Sequence, residues 1–407
     1  MPETPLLTID RRRLASWTAA TLGLLVLPPA ASGAVPAVAL ASWFKVDEAR
    51  SADWRVEPVE GDPLQAMVRR VEPGSGPLRR LLVLYPRPSP AYDVAISKIL
   101  EVFGAKNLNL ELLAFNFQGD DGRGAAALQM VEDGPVDLVL SMGSESTAWL
   151  HQYYRKGAVP VVTVCSKDPV ALGQIPGYEE GSGTNFAFTS LNMPIDVQLA
   201  YLQDFRPGLR NLGILVDGKN ISAVRTQAKP MQQAAAAQGI TVQYLAVQNP
   251  AKAREELARL VGEATVQMQA SDPGLERSLF WITGSTAVFK EIATINAHAG
   301  RVPVVSAVPE VVQEGEDSAV LSIGISFESN ANLAAIYAVD ILAGRTTPGK
   351  LKVGIVSPPD IAINFRRARQ IGLDVPISFF ESANYIYDYD GRLVRRLGEP
   401  VATTPRR

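Results

Sequence analysis

At 407 residues the chain is long enough for about two domains, and its make-up, 47% hydrophobic and 20% charged, is that of a globular protein. A net charge of −3 without a long basic run argues against nucleic acid as a partner. A single cysteine, Cys165, rules out a disulfide framework and a thiolate metal site. With only two histidines, His151 and His298, catalysis or metal binding through histidine is poorly supplied, so no cofactor and no metal is expected.

Residues 1–41 read as an export signal. Arg11, Arg12 and Arg13 precede an apolar run over 14–27, Pro28 and Pro29 end it, and Ala39-Leu40-Ala41 has the form of a cleavage site. The run is short for a membrane span. Asp10 to Leu14 loosely matches a twin-arginine export pattern. No cysteine lies near the cleavage region, so no lipid anchor is expected, and the mature chain from Ser42 is predicted to be soluble in the periplasm.

Residues 42–77 mix Trp43 and Trp54 with charges, Pro and Gly, and are read as an N-terminal extension. A strand is predicted over 78–85 and is broken by Pro86 to Pro90. A helix follows over 93–104, with Val94, Ile96, Ile99, Leu100 and Phe103 on one face. Then come a strand over 108–117, a helix over 122–133 and a buried strand over 136–140. Ser141 to Thr147 ends that strand and opens a helix running to Arg155.

The stretch 159–191 is where the chain passes from one α/β lobe to another. A β-branched strand over 159–164 suits burial on both faces. The polar strand end Ser166-Lys167-Asp168-Pro169 follows, then a Gly/Pro-rich loop and an apolar segment over 185–188. Alternation then restarts, with helices over 195–205, 221–238, 251–270, 287–299 and 330–342. The strands between them fall at 211–216, 240–247, 278–282 and 302–305. Residues 319–325 read as a return connection. A strand over 354–363 contains Pro358 and Pro359, a short helix covers 365–371, and 385–389 reads as a terminal strand. This spacing predicts parallel sheets built from strand–helix–strand units.

In such sheets ligands sit beyond the carboxyl ends of the strands. Ser141 to Thr147 offers free amides, a positive helix end and the hydroxyls of Ser144, Ser146 and Thr147, a setting for an anion such as a carboxylate; plain N-capping explains the same residues equally. Asp168 can pair with a ligand amine or cap the helix after Pro169. Asp217, Asn220, Ser285 and Glu310 lie at the matching strand ends of the second lobe, where capping or solvation is the plainer reading of each and their value is collective. Tyr85, Tyr92 and Phe186 can stack on a ligand or fill the core. Cys165 reads as a buried, inert thiol. Gly213 to Lys219 formally fits a phosphate-loop pattern, but its middle residues are strand and Asn220 is no Ser or Thr, so that reading is set aside. Asp388 to Gly391 reads as a β-turn rather than a calcium loop.

From about Leu78 to Asp388 the chain resembles the ABC-transporter substrate-binding proteins of the tryptophan/tyrosine-type group, which have the periplasmic-binding-protein type I fold. Three segments carry the resemblance: VPVVTVCSKDPVALG at 159–173, NLGILVDGKNISAV at 211–224, and DIAINFRRARQIGLDVPISFFESANYIY at 360–387. Two loops depart from the family. Asp217-Gly218-Lys219 replaces an Asn-Pro pattern, and Gly143-Ser144-Glu145 stands where Thr-Pro is usual, so Glu145 and Lys219 could alter the ligand charge preference.

The resemblance implies two Rossmann-like lobes with parallel sheets, joined by a three-strand hinge near 183–188, 321–326 and 355–363. Lobe 1 is expected over 78–185 plus 326–352 and lobe 2 over 186–325 plus 353–390, with 391–407 a partly disordered tail. It further implies no chemistry, hinge closure over a small-molecule ligand (an amino acid or similar), an ABC permease in the inner membrane as partner, and a monomer. Tyr85, Ser144, Ser146, Thr147, Asp168, Phe186, Asp217, Asn220, Ser285 and Glu310 are the expected ligand-binding residues. A sensory protein presenting the same fold to a receptor kinase is one alternative. An exported enzyme is another, opposed by the missing nucleophile–base pair.

Overall fold

The computed structural model describes Leu40 and residues 42–401. The expected export signal and the end of the expected tail, 402–407, lie outside the described residues apart from Leu40.

The first sheet opens with a hairpin, β1 (Trp54–Val59) and β2 (Asp62–Arg70), paired antiparallel. Gly61 at the tip has φ +83, which its missing Cβ permits. After it come β3 (Ser75–Tyr85), α1 (Pro90–Ala105), β4 (Leu108–Asn116), α2 (Asp121–Asp133), β5 (Leu138–Met142), α3 (Gly143–Tyr153), β6 (Val161–Val164) and β7 (Phe186–Ala187). The strand order is β1-β2-β4-β3-β5-β6-β7, and the strands from β4 to β7 run parallel. Alternation along β3 explains both faces. Leu81 and Val83 pack under α1 with Ile96, Ile99 and Phe103, whereas Leu82 and Leu84 pack under α2 and α3 with Ala127, Val131 and Leu150. Each such fully buried side chain contributes about 1.5–3 kcal/mol.

Helix α1 begins three residues earlier than its apolar face suggests. Ser89 Oγ accepts from the Ala91 amide, and Pro90 occupies the first helical position, where its missing N–H costs nothing. The expected extension 42–77 is more ordered than its composition indicates. Its β1 and β2 add to the sheet edge, and the arm before them runs along α1 through Lys45 N to Asp93 Oδ1 (3.0 Å) and Asp47 N to Ser97 Oγ (2.9 Å).

The second lobe contains α4 (Ile195–Phe205), β9 (Asn211–Asp217), α5 (Ile221–Ala223), α6 (Lys229–Ala237), β10 (Thr241–Val247), α7 (Ala253–Ser271), β11 (Ser278–Ile282), α8 (Thr286–Phe289), α9 (Ile292–Ala299), β12 (Val304–Ser306) and β13 (Leu321–Gly324). Strand β8 (Thr189–Ser190) precedes them. The chain then returns to lobe 1 for α10 (Phe327–Leu342), which packs on α1 and β6. It passes through β14 (Gly354–Ile355) and finishes in lobe 2 with β15 (Asp360–Asn364), α11 (Phe365–Ile371), α12 (Ile377–Ser382), β16 (Tyr385–Tyr387), β17 (Leu393–Arg396) and β18 (Glu399–Pro400). The second sheet is ordered β10-β9-β11-β12-β13-β15-β16-β17-β18, with β15 antiparallel to β13. From β10 to β13 it repeats the strand order of β4 to β7. The two-lobed α/β arrangement that the resemblance implied is therefore present.

Four expectations differ from what is found. The long helix over 221–238 is interrupted by a π turn, Val224–Ala228. Pro230 lacks an N–H and its ring would crowd the carbonyl four residues back, a conflict the wider turn relieves. The first passage between lobes falls at 188–194, not 183–188, because Phe186 and Ala187 pair with β6. The strand over 354–363 is split at the two prolines into β14 and β15. The expected tail from Gly391 forms β17 and β18, where Gly391 (φ +78) supplies the turn.

The three passages are tied to one another. β8 and β14 pair in parallel, Asp360 Oδ2 accepts from Ser326 N (2.9 Å), and Asn330 of α10 binds Ser190 O and Cys165 N (3.1 and 2.8 Å).

Candidate functional site

The loop after β6 in lobe 1 meets the segments after β9 and β11 in lobe 2. Within lobe 1 the loops after β5 and β6 are joined by Ser144 Oγ, which accepts from Lys167 N at 2.8 Å. Within lobe 2 the π turn after β9 and the loop after β11 are joined by Gln227 Oε1, which accepts from Gly284 N at 2.9 Å. Lys167 then crosses between lobes, donating from Nζ to the same Gln227 Oε1 at 3.1 Å. A Cβ on Gly284 would lie 2.0 Å from Nζ, so a larger residue there would displace the ammonium from this position. Arg225 of the π turn makes a second cross-lobe contact, to Ala171 O at 3.4 Å. The lobes are closed on one another at this point.

Lys167 is 7% exposed. Burial pushes its ammonium down to about 8, a fall partly opposed by the neighbouring Cys165. Glu310, a half-buried residue, is a second ionisable group of the cleft. Burial pushes its carboxyl up to about 8 even though its Oε1 accepts from Phe327 N at the head of α10. Its Oε2 is buried without a partner among the described residues. Cys165 is near enough to both groups to be affected by them. Its backbone is left-handed (φ +53), unusual for a residue with a Cβ, and its thiol is raised well above the ordinary range, first by burial and then by Glu310. A thiol so protonated is a poor nucleophile, in keeping with the inert reading.

The expected binding residues divide into groups. Ser144 and Glu310 reach the meeting of the lobes. Asp168 is engaged within lobe 1: Oδ1 accepts from the amides of Val170 and Ala171 and Oδ2 from Tyr178. Asp217 accepts from Lys219 N, and Asn220 caps α5 through Ala223 N, so both act as turn and cap residues. Ser146 and Thr147 are fully buried and bonded to Ser141 Oγ at 2.8 and 3.0 Å, beneath the start of α3. Ser285 is likewise buried, beside Thr283 Oγ1 at 3.0 Å. Ser144 is not the cap of α3. That position is Met142, which makes no side-chain capping bond.

Two aromatic assignments need correction. Phe186 is part of β7, where it stacks on Phe188 and meets His151 edge-on in the lobe 1 core, since every face of this last parallel strand is covered. Tyr85 is fully buried, and its ring is packed by Trp43, Phe44 and Tyr92 at 5.6–5.9 Å; the N-terminal arm therefore takes the place of a stacking ligand. Lys167, Gln227 and Gly284 were not singled out from the sequence. Lys167 stood at a polar strand end, the one available signal, whereas Gln227 lay in a helix whose distortion only Pro230 announces.

The family model described as ABC transporter substrate binding protein matches residues 90–385. A search of curated proteins found no match. Among solved structures, a conserved domain protein from Vibrio cholerae is 19% identical with a TM-score of 0.61, covering 76% of this chain and 99% of that one. An ABC domain in complex with L-Trp from Streptococcus pneumonia is 17% identical with a TM-score of 0.58, covering 76% and 100%. The ligand-free, open structure of a substrate binding protein with adhesive properties from Clostridium difficile is 19% identical with a TM-score of 0.56, covering 75% and 97%. At these identities the structures speak for the fold; the family match, spanning well over half of the sequence, places this chain in the ABC transporter substrate binding protein family.

Proposed function

We propose that the chain captures a small solute, an amino acid or similar molecule, between its lobes outside the cytoplasm and presents the closed form to an ABC permease of the inner membrane. The observation that carries this reading is the contact of Lys167, at a strand end of lobe 1, with Gln227 in lobe 2. Two sets of polar strand ends approach closely enough to share one small molecule. The solute acts by stabilising closure, and only by as much as it prefers the closed form. The bound L-Trp of the Streptococcus structure and the resemblance to the tryptophan/tyrosine-type group support amino acids as the first solutes to try. No helix among the described residues is long and apolar enough to cross a membrane. The solute is released unchanged, as the family's substrate-binding role implies.

A thermal-shift screen of residues 42–407 against amino acids, small peptides, nucleosides and aromatic acids tests the reading. A solute at a hundred times its Kd stabilises the folded chain by about 2.7 kcal/mol, a measurable rise in Tm. A panel that leaves Tm unmoved, or a hit that is chemically converted on incubation, would count against solute capture.

A further inference from the structure

We propose that Lys167 sets the class of solute: its buried ammonium is completed by a carboxylate on the solute, so the cleft favours carboxylic acids, zwitterions included, over their uncharged counterparts. This deepens the solute-capture reading and rests on it. An ammonium has three donor positions. Among the described residues Nζ has one acceptor, the neutral amide oxygen of Gln227, which already receives the Gly284 amide. No carboxylate among the described residues forms an ion pair with it. Glu310, a half-buried acid of the cleft, spends one oxygen on Phe327 N. A buried cation without a counter-ion is unfavourable unless another group supplies the charge.

The surroundings of Lys167 are also those of an anion site. Ser166 Oγ is buried and has no partner among the described residues. The Ser144 hydroxyl, next to Lys167, lies in the first turn of α3, an 11-residue helix whose N-cap Met142 offers no side-chain acceptor. The helix end and the ammonium act with the same sign. The local balance is the ammonium, hydroxyls and a helix end, with Glu145 of that first turn paired to Arg87 and the Glu310 carboxyl acting on the adjacent Cys165. That balance suits a carboxylate and disfavours a phosphate dianion.

Calorimetric titration of the chain with matched pairs tests this: L-amino acids against their C-terminal amides, and indole-3-acetate against indole-3-acetamide, with inorganic phosphate as a third arm. Acids are expected to bind about 10- to 150-fold more tightly than their amides, the range for a hydrogen bond to a charged group. Lys167→Met should erase this gap, acids and amides then binding alike, and Lys167→Arg should retain part of it; melting curves check that both variants fold. Equal binding of acid and amide, a gap that survives in Lys167→Met, or tighter binding of phosphate than of any acid would overturn the assignment while leaving solute capture standing. Binding of no member of either series would overturn solute capture, and this inference with it.

Discussion

Replacing Lys167 with Met removes a buried ammonium while keeping an unbranched side chain in the same space. In the folded chain the group titrates near 8 rather than 10.5, a difference of about 2.5 units, or roughly 3 kcal/mol at 1.36 kcal/mol per unit. The sign follows from proton counting. Between about 8 and 10.5 the unfolded chain holds the proton that the folded chain has lost, so stability rises with pH across that window, and below 8 the full cost of burial is present. Loss of the hydrogen bond to Gln227 offsets about 1 kcal/mol. Lys167→Met is therefore expected to be about 1–3 kcal/mol more stable than the parent at pH 7, with the gap closing as pH approaches 10.5. Urea unfolding at pH 7 and pH 10, extrapolated linearly, reads both values. A variant less stable than the parent at pH 7, or a gap independent of pH, would refute the claim that this ammonium lacks a counter-ion. A side chain that lowers stability where the lobes meet is the pattern expected of a residue kept for binding.

The other predictions concern the neighbours of this lysine and the arm. Gly284→Ala places a Cβ 2.0 Å from Lys167 Nζ and should destabilise by about 1–3 kcal/mol; in the double variant with Lys167→Met most of that loss should disappear, a coupling that a double-mutant cycle measures. The Glu310 carboxyl is raised from 4.5 to about 8 on folding, so the folded chain binds the extra proton between those values and stability falls as pH rises through that window. In Glu310→Gln that part of the slope should vanish, as chemical unfolding between pH 5 and pH 9 would show. Trp43→Ala empties the arm's packing against Tyr85 and should cost about 3–5 kcal/mol by urea midpoint; an effect below 1 kcal/mol would mean that the arm is merely adherent.

Much of the architecture could be read in the sequence because its signals are local. The runs of 81–84, 138–140 and 161–162 are apolar throughout because parallel strands are covered on both faces, and the glycine after Gln238 ends a helix where a C-terminal cap belongs. The β1–β2 hairpin went unread even though Trp54, Val56, Leu64, Ala66 and Val68 alternate as a sheet edge requires; Pro58 and the interspersed charges masked the period of two. The site was less legible. Polar residues at strand ends were recognised as a set, but the sequence does not distinguish Asp168, Asp217 and Asn220, which satisfy nearby amides, from Lys167, which reaches the other lobe. That difference depends on how the lobes meet, and therefore on Gly284 and Gln227, more than fifty residues away in the chain. Phe186 misled for a related reason: an aromatic near a strand end looks the same whether it faces a cleft or the core.

The central claim is that one small molecule is held by both lobes at once. Its most direct test takes the tightest solute from the screen and titrates it calorimetrically into the parent chain, Lys167→Met and Gln227→Ala, one substitution in each lobe. The account predicts one solute per chain and a loss of about tenfold or more in each variant, the scale of a hydrogen bond to a charged group. Undiminished affinity in both variants, or a loss confined to one of them, would contradict a site shared between the lobes.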